Sequence, residues 1–148
     1  MHTIHLIKAK PDEFDTFWNI QQGIAGDEFY SMMDREEAQE EFDACEFYFI
    51  KKGDDIVGVI WYEVKSPEHV YISGTIIKLE YQKQGFGKEA KRLLLERLKD
   101  VRRIDAVVHP DNAAMIAINQ SLGFSIESRV ENYYGDGEPR LVMVKLNK

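Results

Sequence analysis

The sequence TIIKLEYQKQGFGKEAKRLLL, residues 75–95, decides the fold. Its β-branched start predicts a strand, the glycines at Gly85 and Gly87 predict a turn, and the leucine-rich end predicts a helix. Glycine lets a backbone approach a ligand closely, and the start of a helix leaves amide donors and partial positive charge. The stretch therefore predicts an anion site, most simply for a phosphate or pyrophosphate.

Two other interpretations of the glycine turn stay open on spacing alone. The GxxxxGK[ST] loop is absent, and a GxGxxG loop would need a third glycine where Ala90 stands, although some dinucleotide sites accept alanine there. An ordinary strand-to-helix turn without a ligand has the same spacing.

A longer pattern resembles the GNAT superfamily of N-acetyltransferases. Residues 82–87, QKQGFG, fit the family's [RQ]-x-x-G-x-[GA], and residues 112–124, NAAMIAINQSLGF, resemble its N-x-x-A-I-x-L-Y-x-x-x-G-F. Together with their flanks they span roughly residues 70–146. The resemblance implies an α/β (α+β) fold: one mixed, mostly antiparallel central sheet flanked by helices, with a splayed strand pair forming the coenzyme A cleft.

The resemblance also implies that the anion is acetyl-CoA, the acetyl donor of the family. Backbone amides of the turn would hold its pyrophosphate, and the exposed edge of the preceding strand would pair with the pantetheine arm. A backbone N–H near Ile77 or Lys78 would then donate to the oxyanion. The expected cofactor contacts are Ile76, Ile77, Lys78, Leu79, Gln82, Lys83, Gln84, Gly85, Phe86, Gly87, Lys88, Asn112 and Asn119.

Acetyl transfer to an amine needs a group that takes the amine's proton and a group that assists the departing thiolate. Glu63, His109, Asp105 and Glu80 are the candidates for the first role, and a chain of waters is the alternative. For the second role, the tyrosine of the family's second motif is replaced by Asn119, whose NH₂ can only hydrogen-bond to sulfur. Tyr133, Tyr134 or solvent could replace that tyrosine. The predicted catalytic set is Asn119, Tyr134, Glu63 and His109.

The tail, residues 129–134 and 141–143, is similar to members that acetylate protein N-termini, including the ribosomal-protein-alanine group. Those members carry a catalytic glutamate on the strand before the asparagine motif, where this chain has Val107. The acceptor therefore stays open among small amines, polyamines, amino sugars and peptide amines. An acyl-CoA-binding module or sensor with little catalytic activity is the alternative function, because Asn119 replaces the tyrosine.

Composition bounds these expectations. A chain of 148 residues predicts one domain, 1–148, and the net charge of −7 argues against nucleic acid and suits a cationic acceptor. The single cysteine, Cys45, is expected to be a small core residue, with a catalytic thiol as the alternative, and no spacing predicts a metal site. No stretch predicts a membrane span or signal peptide, so we expect a cytoplasmic enzyme, monomer or homodimer.

Charge is unevenly distributed along the chain. Residues 34–46 contain seven acids and one base, which predicts either a solvated helix face or an acidic rim that attracts an amine. Residues 83–103 contain eight bases and three acids, which predicts the solvent face of an amphipathic helix with some contacts to a coenzyme A phosphate. The resemblance implies a strand that bends to admit the pantetheine arm, and Gly74, inside a predicted strand, suits either that bend or simple packing.

Overall fold

The computed structural model describes residues 3–27 and 29–148. Its strands are β1 His5–Lys8, β2 Glu46–Lys52, β3 Asp55–Ser66, β4 His69–Ile77, β5 Arg103–Val108, β6 Ser125–Val130 and β7 Arg140–Leu146. Its α-helices are α1 Phe14–Gln22, α2 Arg35–Ala44, α3 Phe86–Arg97 and α4 Ala113–Ser121. Short 3₁₀ turns, Pro11–Glu13 and Leu79–Tyr81, precede α1 and follow β4. No helix within this part of the chain is long and apolar enough to cross a membrane.

The strands form one seven-stranded sheet in the order β1-β2-β3-β4-β5-β7-β6. Neighbouring strands are antiparallel except β4 and β5, which are parallel and are joined by α3. A parallel pair needs a crossover of this kind, whereas the antiparallel pairs need only turns or longer returns. The predicted mixed, mostly antiparallel sheet flanked by helices is confirmed.

The parallel pair separates part of the way along. Its ladder runs from His69 opposite Arg103 to Ile72 opposite Ala106 and then stops, while β4 continues to Ile77. The wedge between residues 73–77 of β4 and residues 107–108 of β5 is the β4–β5 cleft. It is the splayed strand pair predicted from the sequence.

A β-bulge in β4 lies where the two strands separate. Trp61 of β3 pairs with Gly74, but its neighbour Tyr62 pairs with Ile72, which leaves Ser73 as the extra residue. An extra residue bends a strand and reverses the alternation of its side chains. Ile72 accordingly packs with the α3 side of the sheet, whereas Ile76 packs with the α1 side.

Each face of the sheet carries its own apolar cluster. The α3/α4 face includes Phe86, Leu94, Ile104 and Met143, and the α1/α2 face includes Phe17, Phe42, Phe47 and Trp61. Burying each of these large side chains contributes roughly 1.5–3 kcal/mol. Phe14 and Phe17 of α1 are both buried in the second cluster.

Helix ends carry residues that satisfy or terminate the backbone. Asp34 caps α2 by accepting from the Glu37 amide at 2.8 Å, and the Glu37 side chain accepts from the Asp34 amide at 3.2 Å. Asn112 caps α4 by accepting from the Met115 amide at 3.2 Å. Gly123 follows α4 with φ of 99°, as expected for a glycine after a helix.

Candidate active site

The glycine turn at the start of α3 is an open cradle of backbone. Gly85 precedes the helix with φ of 86°, and a β-carbon there would have no heavy atom within 4 Å. Glu89 makes the first bond of the helix, to the Gly85 carbonyl at 3.1 Å, so earlier amides such as those of Gly87 and Lys88 point out of the helix start. Lys83 and Gln84 are exposed beside them. The turn therefore fits the diphosphate predicted for it.

The edge of β4 that faces the cleft presents backbone donors and acceptors. The Lys78 amide donates to the Val57 carbonyl of β3 at 2.9 Å. In an antiparallel ladder alternate residues turn their polar groups away from the partner, so Ile77 and Thr75 direct theirs into the cleft. Consistent with this, the Gln82 side chain donates to the Ile77 carbonyl at 2.9 Å. The predicted oxyanion donor near Ile77 or Lys78 therefore cannot be the Lys78 amide.

Two other predicted cofactor residues have fewer polar groups available to bind the cofactor. Leu79 lies in the 3₁₀ turn after β4 and is 64% exposed, so its backbone does not extend the strand edge. Asn112 uses its side-chain oxygen to cap α4. Its Nδ2 remains the group with which it could contact the cofactor.

Asn119 lies on the α3/α4 side and is 1% exposed. Its Oδ1 accepts from Lys91 Nζ at 2.8 Å, and its Nδ2 donates to Met143 Sδ at 3.5 Å. Lys91 is itself 4% exposed, and burial lowers its pKa to about 8. The sequence interpretation of the basic run as a solvated helix face is wrong for Lys91, because this side chain lies under α4.

A different group of polar residues surrounds the bulge on the α1/α2 face. The Glu41 carboxylate of α2 accepts from Trp61 Nε1 at 3.0 Å. The Cys45 thiol lies near the same carboxylate and near the hydroxyl of Ser73, the extra residue of the bulge. Glu41 is half-buried rather than solvated, so the predicted solvent-face interpretation of the acidic helix does not hold for this carboxylate.

Tyrosines from three elements reach the same region. Tyr71 of β4 and Tyr134 of the β6–β7 loop bring their hydroxyl oxygens within 3.1 Å. Tyr30, after α1, donates to Gln21 Oε1 at 2.9 Å. Burial raises the pKa of all three phenols, and the negative charge of Glu41 raises each pKa further. Arg140 lies over the Tyr134 ring, 5.1 Å from its centroid, and holds the loop.

The remaining candidates for the proton acceptor occupy distinct positions. Glu63 lies opposite Tyr71 in register and pairs with Lys65 at 3.0 Å. His109 follows β5, with its ring centroid 5.5 Å from that of Phe29. Asp105 is occupied, because it accepts from His69 Nε2 and from Arg103 Nε, each at 2.8 Å.

Asp105 is therefore less suited to proton transfer than the sequence suggested, and Glu80 is exposed in the 3₁₀ turn. The structure brings Tyr134 and Glu63 to the bulge on the α1/α2 face and places Asn119 on the opposite face. Glu41 and Lys91 are the residues that sequence reasoning did not single out. The signal for both was a charge beside an apolar stripe, since Glu41 flanks Ala38 and Phe42, and Lys91 precedes Leu94 and Leu95.

The structure is similar to several solved acetyltransferases. The ribosomal-protein-S18-alanine N-acetyltransferase from Escherichia coli superposes with a TM-score of 0.82 at 19% identity, covering 99% of this chain and 96% of that chain. A ribosomal-protein-S5-alanine acetyltransferase from Vibrio fischeri gives 0.81 at 15% identity, covering 100% and 95%. A Bacillus subtilis acetyltransferase in complex with CoA gives 0.76 at 18% identity, covering 100% of both chains.

At these identities the likenesses establish the fold. Among curated proteins, none matches the sequence. The profile of the acetyltransferase (GNAT) family matches residues 14–124, which include the glycine turn, the bulge and α4. The predicted family, enzyme class and acyl donor are thereby confirmed: this chain belongs to the GNAT family and is an acyltransferase that uses acetyl-CoA.

Proposed function

We propose that this enzyme transfers the acetyl group directly from acetyl-CoA to a primary amine bound on the α1/α2 face of the sheet. The amine belongs to a small molecule or to a peptide or protein. The β4–β5 cleft opens through the sheet at the bulge and so connects its two faces. A thioester held along the open edge of β4 would therefore meet an acceptor arriving from the α2 side.

The cofactor contacts follow the backbone of the cleft and turn. The strand edge at Thr75 and Ile77 would pair with the amides of the pantetheine arm, whereas the predicted contact Ile76 turns its backbone groups towards Val59 of β3. Lys78 and Leu79 would contact the arm only through their side chains. The Lys78 amide is bonded to Val57, and Leu79 lies in the 3₁₀ turn beyond the strand edge. The diphosphate would be held by the turn and the helix start, with Asn112 and Asn119 contacting the arm from α4. The residues of that turn and helix start are Gln82, Lys83, Gln84, Gly85, Phe86, Gly87 and Lys88.

The observation that carries the acceptor assignment is the Glu41 carboxylate beside the bulge. Its hydrogen bond from Trp61 Nε1 at 3.0 Å holds it in position. A half-buried carboxylate attracts an ammonium group more strongly than a fully solvated one, because screening by water is weaker. Glu41 would receive the protonated amine and take its proton, directly or through a water.

The reaction then needs no covalent enzyme intermediate. Burial and Glu41 together raise the pKa of Cys45 to about 12, so its sulfur is a protonated thiol near neutral pH. A protonated thiol is a poor nucleophile. The neutral amine would attack the thioester carbonyl itself, the C–S bond would break, and its electron pair would leave with the sulfur.

The acceptor pocket suits a cationic amine with an extended body. Glu41 supplies negative charge, and Tyr30, Tyr71 and Tyr134 supply half-buried rings and hydroxyls that can contact the rest of the acceptor. The two ribosomal-protein-alanine acetyltransferases among the similar structures and the related tail support a protein N-terminus as one candidate acceptor. Tyr134, Glu63 and His109 would line this route. The setting would be cytoplasmic, with a monomer or homodimer and no nucleic-acid partner.

A second function, an acyl-CoA sensor with little turnover, is favoured by the Asn119 contact to Lys91. Asn119 stands where the family has its tyrosine, and its amide oxygen is bound to Lys91. Following thiol release over a panel of amines separates the two functions. Turnover above the rate without acceptor supports the transferase, and binding of acetyl-CoA without turnover supports the sensor.

The test of the acceptor site is Glu41→Gln, which keeps the shape of the side chain and removes its charge. We expect kcat/KM for a cationic amine to fall about 100-fold, in the range of a lost general base, with little change in the affinity for acetyl-CoA. Glu40→Gln is the matched control, because Glu40 is the adjacent exposed carboxylate of the same helix. Equal activity of the two variants would remove Glu41 from the mechanism.

A further inference from the structure

A buried ammonium group lies between α3 and α4, and the acetyl transfer proposed above does not use it. Lys91 Nζ donates to Asn119 Oδ1 at 2.8 Å and to Met115 Sδ at 3.4 Å. Asn119 completes its contacts with Met143 Sδ at 3.5 Å. Among the described residues, all hydrogen-bond partners of Lys91 and Asn119 outside the pair are uncharged. No carboxylate of these residues lies within ion-pair distance of Lys91 Nζ.

The surroundings of Lys91 leave its charge without compensation. Helix α4 carries no charged side chain, and the strand residues on this face include the apolar Ala106 and Met143. The neighbouring cations of α3, Lys88 and Arg92, are exposed. Burial is what lowers the pKa of Lys91 to about 8. A buried cation with only neutral partners is costly, so its presence indicates an anion that arrives with a ligand.

Strand register places the pair at the level of the apex of the β4–β5 cleft. Asn119 contacts Met143, and Met143 pairs with Ala106 of β5. Ala106 pairs with Ile72 of β4, which is the last rung before the strands separate. The amide of Asn119 therefore lies at the level along the strands where the cleft begins, one strand away from β4 across β5.

The position of Lys91 along α3 agrees with this placement. Helix α3 joins two parallel strands and so runs back along β4. Lys91 is six positions after Gly85, which is about 9 Å along the helix axis. The same distance along a strand is roughly three residues, counted back from Ile77 to the region of the bulge. Lys91 is thus at the level of the bulge, well beyond the diphosphate turn.

The geometry of the pair fixes the direction of the amide. Lysine can only donate, so the oxygen of Asn119 must face Lys91 and the NH₂ must face away. Both side chains also donate to thioether sulfurs, which are weak acceptors. A thiolate is a far stronger acceptor, because donors bind charged partners more tightly than neutral ones.

We propose that Lys91 and Asn119 form a binding pair for the thiolate of coenzyme A. Asn119 Nδ2 donates to the sulfur, and Lys91 is a positioning residue that orients the amide and places positive charge behind it. The inference rests on the proposed function, in which the electron pair of the broken C–S bond stays on sulfur. The amine's first proton goes to Glu41 before attack, the second leaves the nitrogen for solvent as the amide forms, and the thiolate leaves as an anion and takes a proton from solvent after release.

The test measures the pKa of the thiol of bound coenzyme A, with no acceptor present, from the ultraviolet absorbance of the thiolate. We expect a lower pKa on the wild-type enzyme than in free coenzyme A. Lys91→Met, which keeps length and loses charge, should raise the pKa of the bound thiol by about one unit relative to wild type. Arg92→Met is the matched control, because it removes an exposed cation from the adjacent position, and it should leave that pKa unchanged.

Stability and turnover of Lys91→Met together distinguish the proposed role of Lys91 from a purely structural one. If Lys91 orients Asn119 towards the thiolate, Lys91→Met should raise the Tm, because a buried unpaired charge is replaced by an apolar side chain. The same variant should lower kcat about 10- to 100-fold with a small change in KM for acetyl-CoA. A side chain that only packs would lose stability and activity together.

A second variant keeps the inference testable if Lys91→Met does not fold. Asn119→Asp preserves the acceptor for Lys91 but replaces the NH₂ with negative charge, so it should raise the thiol pKa further. An unchanged thiol pKa in both variants overturns the inference. So does weaker coenzyme A binding with no change in thiol pKa, which would assign Lys91 to a phosphate instead. The proposed function fails separately, if the wild-type enzyme does not turn over acetyl-CoA with any amine.

Discussion

A β-carbon on Gly74 would lie 2.3 Å from Cζ2 of Trp61. The indole therefore occupies the space that a side chain would need at the first residue after the bulge. The same indole donates from Nε1 to Glu41 at 3.0 Å. Bulge, indole and carboxylate are thus one connected unit, and the position of the proposed base depends on a glycine in another element.

Gly74→Ala should disrupt this unit. The added methyl group must displace the Trp61 ring or the strand, and overpacking of this kind costs about 1–3 kcal/mol. We expect a loss of that size in the free energy of unfolding, measured in urea, and a larger fractional loss of kcat/KM than of acetyl-CoA affinity.

A double-mutant cycle tests whether the clash is the cause. Trp61→Phe removes the ring atoms nearest to Gly74 and should recover part of the stability lost in Gly74→Ala. The two substitutions together should then cost less than the sum of the single losses by about 1 kcal/mol or more. Additive losses would show that Gly74 is needed for some other reason.

Gly85→Glu should abolish acetyl-CoA binding while the fold is retained. The position is open, so a side chain fits, but its carboxylate would enter the proposed diphosphate site. Calorimetry of acetyl-CoA binding is the measurement.

Gly26→Glu controls for backbone strain, because Gly26 also has a positive φ, 96°, and no heavy atom near its β-carbon position. The strain alone should cost about 1–2 kcal/mol of stability in either variant. If Gly85→Glu binds acetyl-CoA as tightly as the wild-type enzyme, the diphosphate does not bind at this turn.

The cleft could be predicted from sequence because its parts are local. A strand, a glycine turn and a helix are encoded within residues 75–95, and Asn112 and Gly123 mark the two ends of α4. Such signals depend on backbone geometry, which a short sequence determines.

The polar residues around the cleft could not be predicted in the same way, because their roles depend on distant partners. Lys91 lies beside the apolar stripe of α3, yet lysine is rarely buried, so exposure was the natural expectation. Its burial depends on Asn119, 28 positions away. Glu41 similarly meets Trp61 only through the packing of α2 against β3.

The buried ammonium of Lys91 gives stability a specific pH dependence. Its pKa in the folded chain is about 8, below the ordinary lysine value of 10.5, so the unfolded chain binds more protons between those values. Stability should therefore rise from pH 8 to pH 10, and below pH 8 the full penalty remains. Because the side chain is buried, the contribution is on the order of 3 kcal/mol.

The measurement compares urea unfolding of the wild-type protein and Lys91→Met at pH 7 and pH 10. The advantage of the variant should be large at pH 7 and small at pH 10. Other groups titrate alike in both proteins, so the difference isolates Lys91. A pH-independent difference would contradict the burial of the charge.

Tyr134→Phe should affect acceptor binding more than chemistry. It removes one hydroxyl from the pair with Tyr71, whose oxygens are 3.1 Å apart, and leaves the other without that partner. We expect a several-fold higher KM for the amine, unchanged affinity for acetyl-CoA and at most a modest reduction in kcat, less than about tenfold. Tyr48→Phe, on the distant β2, is the control.

A drop in turnover as large as that expected for a lost general acid, about 100-fold, would instead make Tyr134 the proton donor to the thiolate.

Cys45→Ala should retain activity, since the raised pKa keeps the thiol protonated and direct transfer does not need it. Initial rates measured while both substrates vary should give intersecting lines for the wild-type enzyme, as a ternary complex requires. The variant should turn over within about threefold of the wild-type rate and lose roughly 1 kcal/mol of stability from the Glu41 and Ser73 contacts. Parallel lines with loss of activity in Cys45→Ala would replace direct transfer with an acetyl-cysteine intermediate.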